Sequence, residues 1–97
     1  MINIKLFNRT GSFAENKDLA RDIRLNEIIP ALDKGHNIIL NFTGIETVTQ
    51  SFIHALISDL FRKYGSSILD KISFKSCNEN VRKIITIVTD YMQESIA

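Results

Sequence analysis

The residue types that carry out most enzyme chemistry are few in this chain and stand far apart. The two histidines are His36 and His54, and the one cysteine is Cys77. None of them falls in a His-x-x-x-His or Cys-x-x-Cys spacing, which would help to supply the three or four ligands of a zinc site. Gly44 has no Gly-x-Gly-x-x-Gly or Gly-x-x-x-x-Gly-Lys sequence around it to wrap a phosphate. We therefore assign no catalytic residue, no metal and no cofactor, and we predict that the protein is not an enzyme.

Two further reaction types also lack the residues they need. A phosphoacceptor receiver domain requires an aspartate at the end of a strand beside other acidic residues, whereas this chain has Asn41 there and only Glu46 in the loop that follows. A nucleophilic Cys77 would need a nearby base and an electropositive, partly exposed setting. Since a cysteine at a strand-to-helix junction is usually a small buried hydrophobe, we interpret Cys77 as part of the core.

The segment NFTGIETVTQSFIHAL, residues 41–56, is the one that stands out. An apolar strand leads through a loop rich in threonine to Ser51, at the start of an amphipathic helix. Ser51 or Thr49 can cap that helix by accepting a backbone N–H bond, a contribution of about 1 kcal/mol. Alternatively, Ser51 is phosphorylated, because the free N–H groups and the positive dipole end of a helix favour a phosphate. The residues alone favour the cap and leave the second interpretation open.

Length and charge restrict the classes of protein that this chain can be. Its 97 residues correspond to a single domain, and 12 Lys plus Arg against 11 Asp plus Glu leave a net charge of +1. This balance lacks the basic excess that binds a phosphate backbone. No apolar run approaches the roughly 20 residues that span a bilayer, and no secretory signal precedes the first strand. We predict one domain over residues 1–97, cytoplasmic, with neither nucleic acid nor membrane as a partner.

The hydrophobic pattern predicts three strand-and-helix pairs. The first seven residues alternate as in a half-buried edge strand, and Ser12 with Glu15 has the spacing of a capping box that opens a helix. That helix is expected to run to about Leu32, with a kink or short final turn at Pro30 and a cap at Gly35. The run at residues 38–42 is nearly all apolar, which is typical of a central strand covered on both faces.

The second half of the chain repeats this alternation. Residues 43–50 show little helical period and are interpreted as a loop, whereas a 3.6-residue period runs from Ser51 to Gly65. Residues 71–75 alternate as a strand, and Asn78 or Ser76 can cap a last helix. Alternating strands and helices predict an α/β fold with a small parallel or mixed sheet of three to four strands and three helices.

Three segments resemble a known family. ILNFTGIETVTQSFIHAL at residues 39–56 is similar to the central signature of the STAS-like domain family of unknown function, in which an apolar strand leads through a Gly-containing loop to a Gln-Ser-Phe or similar triplet. GSFA at residues 11–14 resembles the entry into that family's first helix, and ISFKSCNENVRKII at residues 72–85 resembles its closing strand and helix. The resemblance extends from about residue 11 to residue 88 and implies a STAS-like fold.

The resemblance also implies a function. The wider STAS group contains the anti-sigma-factor antagonists, which bind a kinase-like partner and are released when a serine at the start of a helix is phosphorylated. Ser51 stands at the matching position, although Thr49 and Phe52 replace the Asp and Gly that commonly flank that serine and Asn41 replaces the strand-end aspartate. Our leading hypothesis is a non-enzymatic regulatory module that docks on a protein partner, a histidine-kinase-like ATPase. The predicted contact residues are Thr43, Gly44, Glu46, Thr47, Thr49, Gln50, Ser51 and the exposed helix residues His54, Ser58 and Arg62.

Two alternatives remain open at this point. In the first, the hydroxyl groups of Thr43, Thr47, Thr49 and Ser51 bind a nucleotide or phosphate in the crevice at the carboxyl ends of the strands. In the second, the protein forms a homodimer through an edge strand.

Overall fold

The computed structural model describes residues 1–96, so that Ala97, the last residue of the predicted domain, lies outside the described residues. The three predicted strands and the long helices that follow them are present, and the structure adds two short strands and further short helical segments that the pattern does not predict. In chain order the elements are β1 (Ile2–Lys5), α1 (Phe7–Thr10), β2 (Phe13–Ala14), α2 (Lys17–Ile23), a π-helical segment (Arg24–Ile28), α3 (Ile29–Asp33), β3 (Ile38–Asn41), β4 (Thr47–Val48), α4 (Gln50–Tyr64), a 3-10 helical segment (Gly65–Asp70), β5 (Ile72–Lys75) and α5 (Glu79–Ile96).

The main sheet has three parallel strands in the order β1-β3-β5. Ile38 lies opposite Ile2 and Ile72, and Leu40 lies opposite Ile4. The predicted α/β fold is therefore confirmed, with an all-parallel sheet, β3 in its centre and β1 at an edge.

One face of this sheet is open, which corrects the prediction that β3 is covered on both faces. Ile38 and Leu40 are fully buried in the core, but Ile39, on the other face, is only half-buried, and its neighbours in register, Asn3 and Ser73, are exposed. The buried side chains of α2, α4 and α5 form one cluster with the Ile38 and Leu40 side. A run of apolar residues predicted two covered faces, but only alternate side chains of a strand reach the same layer of helices.

The predicted first helix, observed as α2, begins four residues later than the capping box at Ser12 and Glu15 predicts. Asn16 is the N-cap of α2, and its side-chain oxygen accepts from the N–H groups of Asp18 and Leu19. The Ser12 carbonyl instead accepts hydrogen bonds from the N–H groups of Glu46 and Thr47, and the next two residues form β2. The predicted start is wrong because a pairing with a distant segment holds residues 12–14 in an extended conformation.

Pro30 interrupts the helical layer, as predicted. It stands at the start of α3 and has no N–H to donate one turn back, and the preceding Arg24–Ile28 segment is π-helical, with an Ile29 N–H to Arg24 carbonyl bond. Gly35 then ends the helix with a φ of 84°. The N–H of Gly35 bonds to the Leu32 carbonyl and that of His36 to the Ala31 carbonyl, which is a Schellman motif and confirms the predicted cap.

The α4 and α5 helices confirm their apolar stripes. Six large apolar side chains of α4 are buried: Phe52, Ile53, Leu56, Ile57, Leu60 and Phe61. In α5, Val81, Ile85, Val88 and Met92 are buried and Ile84 is half-buried. Of the two predicted caps, Asn78 is the one in place, since its Oδ1 accepts from the Val81 N–H at 2.8 Å.

Candidate functional site

The first part of the predicted site is a turn at the end of β3. Asn41 Oδ1 accepts from the Thr43 N–H at 2.9 Å and from the Thr43 hydroxyl at 2.6 Å. Gly44 follows with a φ of 87°, and a Cβ on it would lie 3.0 Å from the Phe7 ring. The polar groups of this turn thus bond to one another, and the buried Asn41 acts as a structural acceptor.

The second part, predicted to be loop, contains a strand. Thr47 pairs with Phe13 and Val48 with Ala14 in a separate two-stranded parallel sheet of β2 and β4. The Glu46 carbonyl accepts from Asn78 Nδ2 at 2.8 Å, which ties the same segment to the start of α5. The sequence shows no alternation of apolar and polar residues here, because a strand of two residues is too short to produce that pattern.

The third part is the start of α4. Thr49 is its N-cap, and the Thr49 hydroxyl accepts from the Phe52 N–H at 3.1 Å. Ser51 is therefore the second residue of the helix rather than its cap, and its side chain is exposed. Since Thr49 takes the structural role, the Ser51 hydroxyl is left at the surface.

Ser51 and His54 face a groove between the start of α4 and the middle of α5, which we call the α4–α5 groove. It has a volume of about 530 Å³ and is lined by Lys17, Gln50, Ser51, His54, Ala55, Ile87, Val88 and Tyr91. Two of its apolar residues are conspicuously accessible, since Ile87 is 42% exposed and Tyr91 is 60% exposed. The groove therefore combines hydroxyl, amide, imidazole and ammonium groups on one side with apolar surface on the other.

The predicted site residues do not all reach this groove. Gln50, Ser51 and His54 line it, whereas Thr43 lines a different cleft with Lys5, Phe7, Asn8 and Asn41. The exposed Glu46 and Thr47 line neither of these two clefts. Because Thr43 and Ser51 line separate clefts and the Thr49 hydroxyl caps α4, the four hydroxyls do not converge on one ligand.

Ser58 and Arg62 do not line the α4–α5 groove. Ser58 was expected to be exposed on α4, but it is only 3% exposed and belongs to the buried face of the helix. Arg62 is exposed and forms an ion pair with Asp59 at 2.5 Å, and Asp59 also bonds to Arg24 at 3.1 Å. The reason for the error is that α4 is covered on more than half of its circumference, so that a serine one turn beyond Ala55 lies inside.

Five groove residues were not among the predicted contact residues: Lys17, Ala55, Ile87, Val88 and Tyr91. Ile87 and Tyr91 lie off the apolar stripe of α5, four residues apart and hence on one side of the helix. Large apolar residues outside the stripe were the signal that could have identified this surface. Lys17 carried no such signal, since it reaches the groove from the first turn of α2.

The far end of α4 is fastened to α3 by a polar cluster. The Tyr64 hydroxyl donates to Asp33 at 2.9 Å, and Lys63 Nζ lies 3.5 Å from the same carboxylate. Burial, followed by the hydrogen bond to Asp33, raises the pKa of the Tyr64 phenol, so that it keeps its proton and remains a donor. This cluster holds α4 at the end opposite to Ser51.

The groups considered for enzyme chemistry stay apart. Burial raises the pKa of the Cys77 thiol, an effect that the nearby Arg82 charge partly opposes, so the reactive thiolate is disfavoured. Cys77 is half-buried against the core, in agreement with its interpretation as a small hydrophobe. Within the part of the chain that the structure describes, no three His, Cys, Asp or Glu residues lie close enough to hold a metal ion. No helix in residues 1–96 is long and apolar enough to cross a membrane.

Comparison with known proteins yields a single relationship. No curated protein and no solved structure matches the chain. A family model described as a STAS-like domain of unknown function matches residues 20–82. This range includes β3, the Asn41–Gly44 turn, α4 and β5, and it stops before Ile87 and Tyr91. The resemblance seen in the sequence is confirmed: the chain belongs to the STAS-like domain family of unknown function.

Proposed function

We propose that this protein is a non-enzymatic regulatory module that docks on a protein partner through the α4–α5 groove. The observation that carries the proposal is the position of Ser51, which is exposed at the second residue of α4 and lines the same groove as the accessible side chains of Ile87 and Tyr91. Interfaces between proteins commonly have apolar and aromatic side chains at their centre and polar groups at their rim. Ile87 and Tyr91 form the centre, and Gln50, Ser51 and His54 form part of the rim.

Phosphorylation of Ser51 regulates the docking in this proposal. Transfer of the γ-phosphoryl group from ATP to Ser51 Oγ yields ADP and releases the hydroxyl proton. The product carries a charge of about −1.5 to −2. The backbone N–H groups of Gln50 and Ser51, which precede the first intrahelical donors of α4, and the ammonium group of Lys17 support this phosphate within the free protein. The same charge placed against a partner's apolar surface disfavours the complex, because it must be desolvated there.

The partner in this proposal is a histidine-kinase-like ATPase, which has the ATP that the phosphoryl transfer requires. This choice follows from membership of a STAS-like family, since the antagonists of the wider group bind kinase-like proteins. The contact surface that we propose differs from the one expected from sequence, because Thr43 and Gly44 belong to a turn around Asn41 and Ser58 is buried.

The experiment measures, by titration calorimetry, the affinity of the protein for a purified histidine-kinase-like ATPase from the same organism. We expect Ser51→Ala to bind like the wild type and Ser51→Asp to bind at least about tenfold more weakly, a change of about 1.4 kcal/mol. Ser66→Asp is the matched control, since Ser66 is also exposed but follows the opposite end of α4. It should leave the affinity unchanged.

A second variant separates the switch from the docking. Ile87→Ser removes accessible apolar surface without altering Ser51, and it should also weaken binding. Equal affinities for Ser51→Asp and the wild type would refute regulation at Ser51. Wild-type affinity in Ile87→Ser as well would refute the groove as the contact surface.

A further inference from the structure

The outer side of β1 is an unpaired strand edge. The N–H groups of Ile2 and Leu6 donate to the carbonyls of Asn37 and Asn41, so the even-numbered residues of this strand direct their backbone groups toward β3. Because successive residues of a strand direct these groups to opposite sides, Asn3 and Lys5 direct theirs away from the sheet. β1 is the end strand of the three-stranded sheet, so these N–H and C=O groups face outward.

A groove runs along this edge. It has a volume of about 600 Å³, and all four residues of β1 contribute to it, including Ile4 from the core side and Asn3 and Lys5 from the open side of the sheet. The opposite wall comes from the helical layer, through Pro30, Ala31 and Lys34. A free strand edge that faces a helix across a groove is the geometry in which PDZ-type domains accept an extended peptide as an additional strand.

The charges around this groove are mainly positive. Lys5, Arg9 and Lys34 line it, together with the single acidic residue Glu27. Glu27 is ion-paired with Arg9 and therefore neutralises one of these cations. Lys5 and Lys34 form no ion pair with any other residue in the described part of the chain, so their charges remain available to a ligand.

We propose that the β1 edge binds an extended acidic segment of a protein partner, which adds to the sheet as a fourth strand. The backbone groups of Asn3 and Lys5 pair with the segment, and Lys5 and Lys34 attract its carboxylates. A second copy of this chain is disfavoured at the same place, because the two basic rims would face each other. This surface is separate from the α4–α5 groove, and the inference does not depend on the function proposed above.

The test uses two fluorescein-labelled hexapeptides of matched β propensity, Glu-Thr-Glu-Thr-Glu-Thr and Lys-Thr-Lys-Thr-Lys-Thr, with binding followed by fluorescence anisotropy at low salt. We expect the acidic peptide to bind and the basic one not to bind. Asn3→Pro removes an outward N–H without touching a bond to β3, and proline is accepted at such edge positions. The affinity for the acidic peptide should fall about three- to tenfold in this variant, which is the effect of one lost hydrogen bond. Lys34→Gln should lower the affinity for the acidic peptide about two- to fivefold.

Hydrogen exchange on the wild-type protein gives a readout that does not depend on the folding of a variant. Saturating acidic peptide should slow amide exchange at Asn3 and Lys5, while Ile4, already bonded within the sheet, should change little. Asn3→Ala, which keeps the N–H, is the matched control for Asn3→Pro. Equal binding of the two peptides, or unchanged exchange at Asn3 and Lys5, would overturn the proposal. So would a dimer in sedimentation that Asn3→Pro dissociates, or tighter binding of an oligothymidylate than of the peptide.

Discussion

The Asn41–Gly44 turn and the start of α4 follow the same strand, yet they use their polar groups in opposite ways. In the turn, Asn41 accepts both donors of Thr43, and Gly44 lies against the Phe7 ring. At the start of α4, Thr49 satisfies the backbone and Ser51 is left exposed. The polar groups of the turn are therefore used within the fold, whereas the helix start leaves the Ser51 hydroxyl at the surface.

The short strand β4 explains how the two regions came to be separated. Its pairing with β2 carries the chain from the end of β3 to the start of α4, so that Thr43 and Ser51 line different clefts. Although only eight positions separate Thr43 from Ser51 in the sequence, the two residues do not share a surface. If this comparison is correct, substitutions in the turn should change stability, and substitutions at Ser51 should leave stability alone.

The largest effect is expected from Gly44→Ala. A side chain at a φ of 87° is strained, and its Cβ would lie 3.0 Å from the Phe7 ring. We expect the free energy of unfolding to fall by about 2 kcal/mol, since the left-handed conformation alone costs about 1–2 kcal/mol. Urea denaturation measures this change in the free energy of unfolding. Gly35→Ala is the control, because Gly35 has a φ of 84° and nothing within 4 Å of the added Cβ. A loss in Gly44→Ala no greater than in Gly35→Ala would show that the Phe7 contact is unimportant.

Asn41→Ala should have the next largest effect. It removes the acceptor of two hydrogen bonds from Thr43, each with a net contribution of about 0.5–1.5 kcal/mol, and water can replace part of this at the exposed Thr43. We expect a loss of about 1.5 kcal/mol by the same urea denaturation. Asn41→Asp keeps an acceptor oxygen for both bonds and should therefore lose less stability than Asn41→Ala. An equal loss in both variants would contradict the role of Asn41 as an acceptor.

The smallest effects contrast the two hydroxyls of the helix start. Thr49→Ala should lower the free energy of unfolding by about 1 kcal/mol through loss of the cap, and Thr49→Ser should restore most of it. Ser51→Ala should stay within about 0.5 kcal/mol of the wild type, as is usual for exposed positions. Thermal unfolding of the three variants side by side is sufficient. A loss in Ser51→Ala as large as that in Thr49→Ala would mean that Ser51 is structural.

Elements with strong local patterns were predictable from the sequence. α4 and α5 were recognised because their apolar residues repeat with a helical period and because Gly65 and Asn78 stand at their ends. The kink at Pro30 and the cap at Gly35 followed from the missing N–H of proline and the conformational freedom of glycine. The Ser12–Glu15 capping box failed because its residues are held by β4, which lies more than 30 positions away.

The candidate site was predictable in position but not in shape. The sequence indicated the start of α4 and singled out Ser51, Gln50 and His54, which do line one groove. It gave no indication of Lys17, and although Ile87 and Tyr91 lie off the apolar stripe of α5, only packing shows that they face the start of α4. The exposure of Ser58 was misjudged for the same reason, since the number of neighbours around α4 determines how much of its surface is covered.

The sequence by itself determined the alternating α/β order, the central strand, the two long helices and the family to which the chain belongs, because short-range periodicity and local motifs encode these features. Tertiary structure alone decided that one face of the sheet is open, that Thr49 rather than Ser51 caps α4, and that α5 completes a groove beside Ser51. These outcomes depend on which distant segments pair and pack. Hydrogen bonds between strands and burial between helices join residues that no local pattern relates.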